Sequence, residues 1–372
     1  MKIAVLTLPF RTNYGQILQG FAMQTILTRL GHEVELLDDP YYSWKYYFIY
    51  PMMCVKRFIR KFFNGESHID IFTPPHERIK MHTQQFIDKH LHIKKVHKWN
   101  FALAKQYDAF IVGSDQVWRP QYFKSRYRTG IELAYLSFAE DISIKRIAYA
   151  ASFGTDECEY TTDQLQNCSR LAKLFNAISV REDSGVHICK EFLNVNAQHV
   201  IDPTLLLNTN DYTSLIPQGS SKSDGSLLVY VLDDNESISK GITQLSIKKG
   251  LKPFSVKGKH ESSGAPLSEC IHPPVEHWLR GFQDAEFVIT DSFHACVFSI
   301  LFHKPFICIG NKDRGMSRFT SLLRMFHLED RLVSSLEDFT DTPINWEEVD
   351  AILVTKRAEA MEFLTTALNP MG

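Results

Sequence analysis

The chain has no apolar run of the length a membrane span requires, although 44% of its 372 residues are hydrophobic. Residues Ile3 to Leu8 could pass for a short signal core. Arg11, Asn13 and Gln16 interrupt that run at once and no small-residue cleavage site follows, so a first β-strand is the expectation. The seven cysteines include no Cys-x-x-Cys pair, and several sit in apolar runs. They are expected as buried free thiols in a reducing compartment, which makes the cytoplasm the expected location. The fifteen histidines show no His-Glu-x-x-His or other metal-ligand spacing, so no metal is expected. Charge of one sign is also missing: a formal net charge of -2 argues against a general nucleic-acid binder. Neither Gly-x-x-x-x-Gly-Lys-Ser/Thr nor Gly-x-Ser-x-Gly occurs, which removes NTPase and serine-hydrolase readings.

What is present is an alternation of short apolar runs and amphipathic stretches. With 23% charged residues the composition is that of an ordinary globular protein, long enough for two domains. Strands are expected at 2–8, 32–37, 109–112, 146–151, 177–180 and 199–201, with helices at 15–30, 163–175 and 183–192 between them. The segment 208–225 turns polar and rich in Ser, Thr, Asn and Gly, and is the best domain boundary. A second alternation follows, with strands at 226–232, 253–256, 287–290 and 306–309. Strands separated by helices imply parallel, doubly wound sheets. The expected fold is α/β, two Rossmann-like domains facing a cleft: residues 1–207, with an aromatic and basic insertion at 41–63, and residues 208–345. A last helix over 346–372 is expected to pack back on the first domain.

The most informative stretch is Glu286 to Gly310. It reads as strand, tight turn, buried helix and strand. Asp291, Ser292 and His294 therefore fall where a parallel strand ends and a helix begins. There free backbone N–H groups and the helix dipole favour an anion. Histidine is the side chain that titrates near neutrality, so His294 is a candidate general acid/base.

Other strand ends carry polar loops too. Asn13-Tyr14-Gly15-Gln16 links the first strand to the first helix: Asn13 suits a helix cap, and Gly15 permits close backbone approach. Gly113-Ser114-Asp115-Gln116-Val117-Trp118 follows the strand 109–112, and Trp118 is a candidate plate for a sugar. Ser152 follows Ala151. Arg181 and Glu182 close the strand 177–180, where a buried Arg needs an anion or a carboxylate partner, Glu182 being the nearest in sequence. Asp202-Pro203-Thr204 reads as a turn at the domain edge. Arg314 and Arg318 follow the last strand of the second half and could reach an anion.

The segment 41–63 stands apart. It holds ten aromatic residues, five Lys or Arg and no acidic residue. The simpler reading packs its aromatics on the sheet and leaves a solvated basic face. The other is a helix lying peripherally in a membrane interface.

Asn13-Tyr-Gly-Gln, Gly113-Ser-Asp-Gln-Val-Trp118, Ser179-Val-Arg-Glu182, Asp202-Pro-Thr204 and Thr290-Asp-Ser-Phe-His294 resemble, in order, the signature blocks of the polysaccharide pyruvyl transferase family. The resemblance implies a GT-B-like fold, phosphoenolpyruvate as donor, and a hydroxyl pair on a glycan or lipid-linked oligosaccharide as acceptor. The product would be a pyruvate ketal on a surface polysaccharide or its precursor, as in bacterial capsule and exopolysaccharide biosynthesis. His294 matches the family's proposed acid/base histidine, and Arg181 an arginine that contacts the donor. Asp291 is expected to orient His294. Other members often carry Arg where this chain has Ser292. That departure removes one expected anion contact, with Lys312, Arg314 and Arg318 as candidate replacements.

Expected site residues are thus His294 and Asp291 for catalysis and Arg181, Ser292, Arg314 and Arg318 for the donor. Asn13, Gly15, Ser114, Asp115, Gln116, Trp118 and Ser152 are expected in the acceptor cleft. Phosphoenolpyruvate is a co-substrate, and no cofactor is required. Two other functions fit the same architecture: a nucleotide-sugar glycosyltransferase, against which the absence of Asp-x-Asp counts, and a non-catalytic glycan-binding subunit.

Overall fold

The structure is a computed structural model that describes residues 1–39, 44–63, 75–127, 129–259, 265–310 and 315–369. Two all-parallel sheets carry it. The first contains β1 (Lys2–Leu6), β2 (Glu33–Asp38), β3 (Ile93–Lys95), β4 (Ala109–Val112), β5 (Lys145–Ala151), β6 (Ala177–Val180) and β7 (Gln198–His199). Their order is β3-β2-β1-β4-β5-β6-β7. The second contains β8 (Leu227–Tyr230), β9 (Pro253–Phe254), β10 (Phe287–Thr290), β11 (Phe306–Ile309) and β12 (Leu332–Val333), in the order β12-β11-β10-β8-β9. Every residue of β4, β5, β10 and β11 is buried. Their near-continuous apolar sequences reflect helices on both faces.

Both orders contain a reversal. In the first sheet the chain winds outward in opposite directions from β1 and β4, and in the second from β8 and β10. Crevices open at the carboxyl ends of strands at such switch points. The loops after β1 and β4 hold Asn13 and Asp115, and the loops after β8 and β10 hold Leu232 and Asp291.

The helix Tyr14–Arg29 shows how the two sheets are joined. Asn13 caps it by accepting from the Gln16 amide at 3.2 Å. Tyr14 is fully buried, stacks on Trp278 with ring centroids 5.7 Å apart, and donates its hydroxyl to the Pro273 carbonyl at 2.8 Å. One apolar core runs from this helix through Trp278 and Phe298 to the last helix, Trp346–Leu368. Burying a side chain of that size contributes about 1.5–3 kcal/mol, so Tyr14 is a strong tie between the halves. The last helix lies against the first sheet: Phe363 meets Tyr149, and Arg357 donates to the Leu205 and Leu207 carbonyls at 2.6 Å.

The expected strands and helices recur with ends shifted by a few residues. β3 has a single apolar residue at a sheet edge and carries no periodicity to read. The polar segment 208–225 contains a short helix, Thr209–Thr213, at whose start the Asn208 amide donates to the Asp211 carboxylate at 2.9 Å. In the aromatic and basic segment, Trp44–Phe63 is a helix. Residues 41–43, and the side chains at 44–49, 57 and 60–62, lie outside the described residues. Phe58 and Phe63 are exposed, with Met52, Val55 and Ile59, so these aromatics do not pack on the sheet. Among the described residues no helix is long and apolar enough to cross a membrane.

Candidate active site

A cavity of about 760 Å³ lies between the two switch points. Asn13, Asp115 and Gln116 of the first half line it, facing Asp291, Ser292 and His294 of the second, and Arg318. The local sequence explains the placement. Thr290 ends β10 and its hydroxyl ties back to the Tyr230 carbonyl at 2.7 Å, while Ser292 begins the helix Phe293–Leu301. That helix is buried at every position, so its first turn can face only the cavity or the core.

His294 is 6% exposed, and its Nε2 has no hydrogen-bond partner. Two residues of the first half bracket it. Gly15 lies against the ring, so close that a β-carbon there would stand 2.2 Å from the His294 Cγ. Asp202 lies on another side, with Oδ2 3.7 Å from Nε2, an ion-pair distance. The Asp202 carboxylate is otherwise engaged. It accepts from Arg181 at 2.8 Å, from the Thr204 amide at 3.0 Å and from the Thr204 hydroxyl at 2.7 Å, and the Ser114 hydroxyl is 3.0 Å away. Burial alone raises this carboxyl's pKa, but His294 and Arg181 outweigh that and hold it well below the usual range. The carboxylate that stands at ion-pair distance from the imidazole is thus a fixed anion.

Behind the cavity wall, Arg181 is consumed by carboxylates. It is fully buried and pairs with Asp202 and, at 3.3 Å, with Asp115. Burial opposes its charge and these two carboxylates restore it. Its guanidinium lies 4.3 Å from the centre of the Phe293 ring, a cation–π distance. Asp115 is likewise raised by burial and then drawn below its ordinary range by Arg181, His294 and Arg318. Arg318 reaches the cavity itself. Burial and repulsion from Arg181 push its pKa down to about 10, which leaves it charged near neutrality.

Several expectations need correction. Asp291 does not orient His294: its two oxygens accept from the amides of Leu232 at 2.7 Å and Asp233 at 2.9 Å, so it pins the loop after β8. Asp202, not Asp291, is the carboxylate at ion-pair distance from the imidazole. Arg181 pairs with Asp202 and Asp115, while Glu182 accepts instead from the Phe153 and Gly154 amides. Trp118 is fully buried, stacked on Tyr135 with centroids 4.8 Å apart, and offers no plate to a sugar. Ser152 and Ser114 are fully buried behind the cavity, Ser152 accepting from the Trp118 amide and donating its own to the Asp115 carbonyl. Arg314 and Lys312 lie outside the described residues. Asp202 was legible as another polar residue at a strand end. Lys257, straight after the expected strand 253–256, carried the same signal, whereas His272 and Tyr230, which also line the cavity, carried none.

Residues 13–313 match the model of a family described as polysaccharide pyruvyl transferase. No curated protein matches the chain in sequence. Among solved structures, the chain is similar to a glycosyltransferase from Rickettsia africae, with a TM-score of 0.48 and 8% identity over 100% of this chain and 99% of that one. It is similar to MurG of Acinetobacter baumannii, with a TM-score of 0.45 and 10% identity over 100% and 99%. It is also similar to a UDP-GlcNAc 2-epimerase from Methanocaldococcus jannaschii, with a TM-score of 0.46 and 12% identity over 98% and 100%. The fold itself rests on the two parallel sheets and the cavity between their switch points, a GT-B-like α/β arrangement.

Proposed function

Because the chain belongs to the polysaccharide pyruvyl transferase family, we propose that it forms a pyruvate ketal on a glycan, with phosphoenolpyruvate as donor. The observation that carries this reading is His294, held between Gly15 and the Asp202 carboxylate, with Arg318 in the same cavity. The donor bears a phosphate and a carboxylate, and the Arg318 cation and the N-terminus of Phe293–Leu301 suit such anions. His294 delivers a proton to the donor's methylene carbon, which becomes a methyl group. The positive charge at C2 is captured by one acceptor hydroxyl. Phosphate leaves, and the second hydroxyl closes the ring on C2. Of the two hydroxyl protons, one replaces the proton His294 gave and the other leaves with phosphate. Asp202, at ion-pair distance, keeps the imidazole in position. The scheme requires no metal.

The acceptor is a sugar of a bacterial surface polysaccharide or of its lipid-linked precursor, reached from the cytoplasm. The exposed apolar residues of Trp44–Phe63, in a segment with no acid, support peripheral contact with the inner membrane face. The test is phosphate release from phosphoenolpyruvate across galactosides, mannosamines and glucosides, free and lipid-linked. Release with one acceptor class, lost in His294→Ala with the fold retained, is the expected result. Turnover of a nucleotide sugar and none of phosphoenolpyruvate would overturn it.

A further inference from the structure

A donor with two anionic groups calls for more than one cation, and Ser292 brings none. The buried layer offers none either, since Arg181 is held by Asp202 and Asp115. In the cavity wall of the second half, however, stands Lys257, on the loop after β9. It is half-buried, and its ammonium donates to the Val231 carbonyl. Among the described residues no carboxylate pairs with it, whereas its neighbour Lys259 is paired with Glu269 at 2.7 Å.

The sheet register locates it. Tyr230 is opposite Thr290 across β8 and β10. Val231 and Asp291 directly follow this last pair, at the same ends of adjacent strands. The loop is fixed there by Asp291, which takes the Leu232 and Asp233 amides. An ammonium anchored on the Val231 carbonyl therefore stands beside the first turn of Phe293–Leu301. Arg318 lines the same cavity and also lies near that turn, 5.9 Å from the Phe293 ring centre. His294, in the same turn, is 6% exposed, lines the cavity and leaves its Nε2 without a hydrogen-bond partner. His272 nearby does not add a competing charge: burial and the Lys257 ammonium push it down to about 4.

We propose that Lys257 is a donor-binding residue: together with Arg318 in the same cavity it serves the N-terminus of Phe293–Leu301 and receives one of the donor's two anionic groups. The inference rests on phosphoenolpyruvate being the donor. An ammonium has three protons, and the Val231 carbonyl uses one, so two remain for a phosphate or carboxylate.

The test is calorimetric titration of the full-length protein with phosphoenolpyruvate, without acceptor, using wild type, Lys257→Gln and Lys257→Arg. Gln keeps a donor for Val231 and removes the charge. Removing one charge-assisted hydrogen bond is expected to weaken donor binding about 10- to 100-fold in Lys257→Gln, with Lys257→Arg close to wild type. In turnover, the KM for phosphoenolpyruvate rises in Lys257→Gln and the KM for the acceptor does not. Equal donor affinity in wild type and Lys257→Gln, or an effect on the acceptor KM alone, overturns the role of Lys257 and leaves the donor assignment standing. Failure of the wild type to bind phosphoenolpyruvate overturns both. Thermal unfolding of each variant separates a lost contact from a lost fold.

Discussion

Gly15 and the His294 imidazole are in direct contact across the boundary between the two sheets, with room for no β-carbon between them. Gly15→Ala is the smallest change that tests the site. The added methyl meets Cγ and Nδ1 of the ring at 2.2 Å, so the imidazole must move. Displacing a reacting group by about 1 Å can cost on the order of 100-fold in rate. The expected result is a drop in kcat of that size, with donor affinity changed far less. Steady-state rates and a thermal melt on the same sample check it.

Asp202→Asn should damage stability as well as rate. The substitution leaves Arg181, fully buried, with one carboxylate fewer. Breaking a buried ion pair from one side costs about 3–5 kcal/mol. Denaturant unfolding measures this. A change under 1 kcal/mol would mean that Asp115 alone satisfies the guanidinium, on the scale of exposed pairs.

Trp118→Phe should behave oppositely. The indole is stacked on Tyr135 and donates to the Ala134 carbonyl at 3.3 Å, so its loss is expected to destabilise by roughly 0.5–3 kcal/mol. The acceptor KM should not move. A raised acceptor KM at unchanged stability would restore the sugar-stacking role.

Acid should loosen the fold in part through His272. Its folded pKa, about 4, lies below its ordinary 6.5, because of burial and then Lys257. The unfolded chain therefore binds this proton more readily than the folded one between pH 6.5 and 4. Stability is full above that window and falls as pH drops through it. His272→Gln should flatten the slope in this window, as measured by denaturant midpoints at stepped pH. An unchanged slope assigns the acid sensitivity elsewhere.

On the helix Trp44–Phe63, Met52, Val55, Ile59 and Phe63 follow helical spacing along one exposed face. A double change, Ile59→Ser with Phe63→Ser, should abolish flotation with anionic vesicles and leave turnover of a water-soluble acceptor intact. Flotation by the double variant equal to wild type would remove this face as the contact.

The strand ends were legible because a polar residue straight after an apolar strand has few structural reasons to be there. Asn13, Asp115, Asp291 and His294 stand out in this way, and all but His294 are partly tied to backbone. What each touches was not legible. Asp291 and Asp202 exchange their expected importance because their partners come from distant strands, the loop after β8 in one case and Arg181 in the other. Trp118 reads as exposed from its polar neighbours, yet Tyr135 and Phe153 enclose it. Lys257 also follows an expected strand, 253–256, but what it faces depends on the neighbouring β8 and β10, which its own sequence does not reveal.

The way Tyr14 and Gly15 meet the second sheet bears on how the molecule could be divided. Their partners, Pro273, Trp278 and His294, are all encoded after the polar segment 208–225. A chain cut within that segment yields one fragment with His294 and another with the carboxylate and the glycine that flank it. Activity regained on mixing the fragments would then count reassembled interfaces one for one, and Tyr14→Ala would set how tightly the fragments find each other.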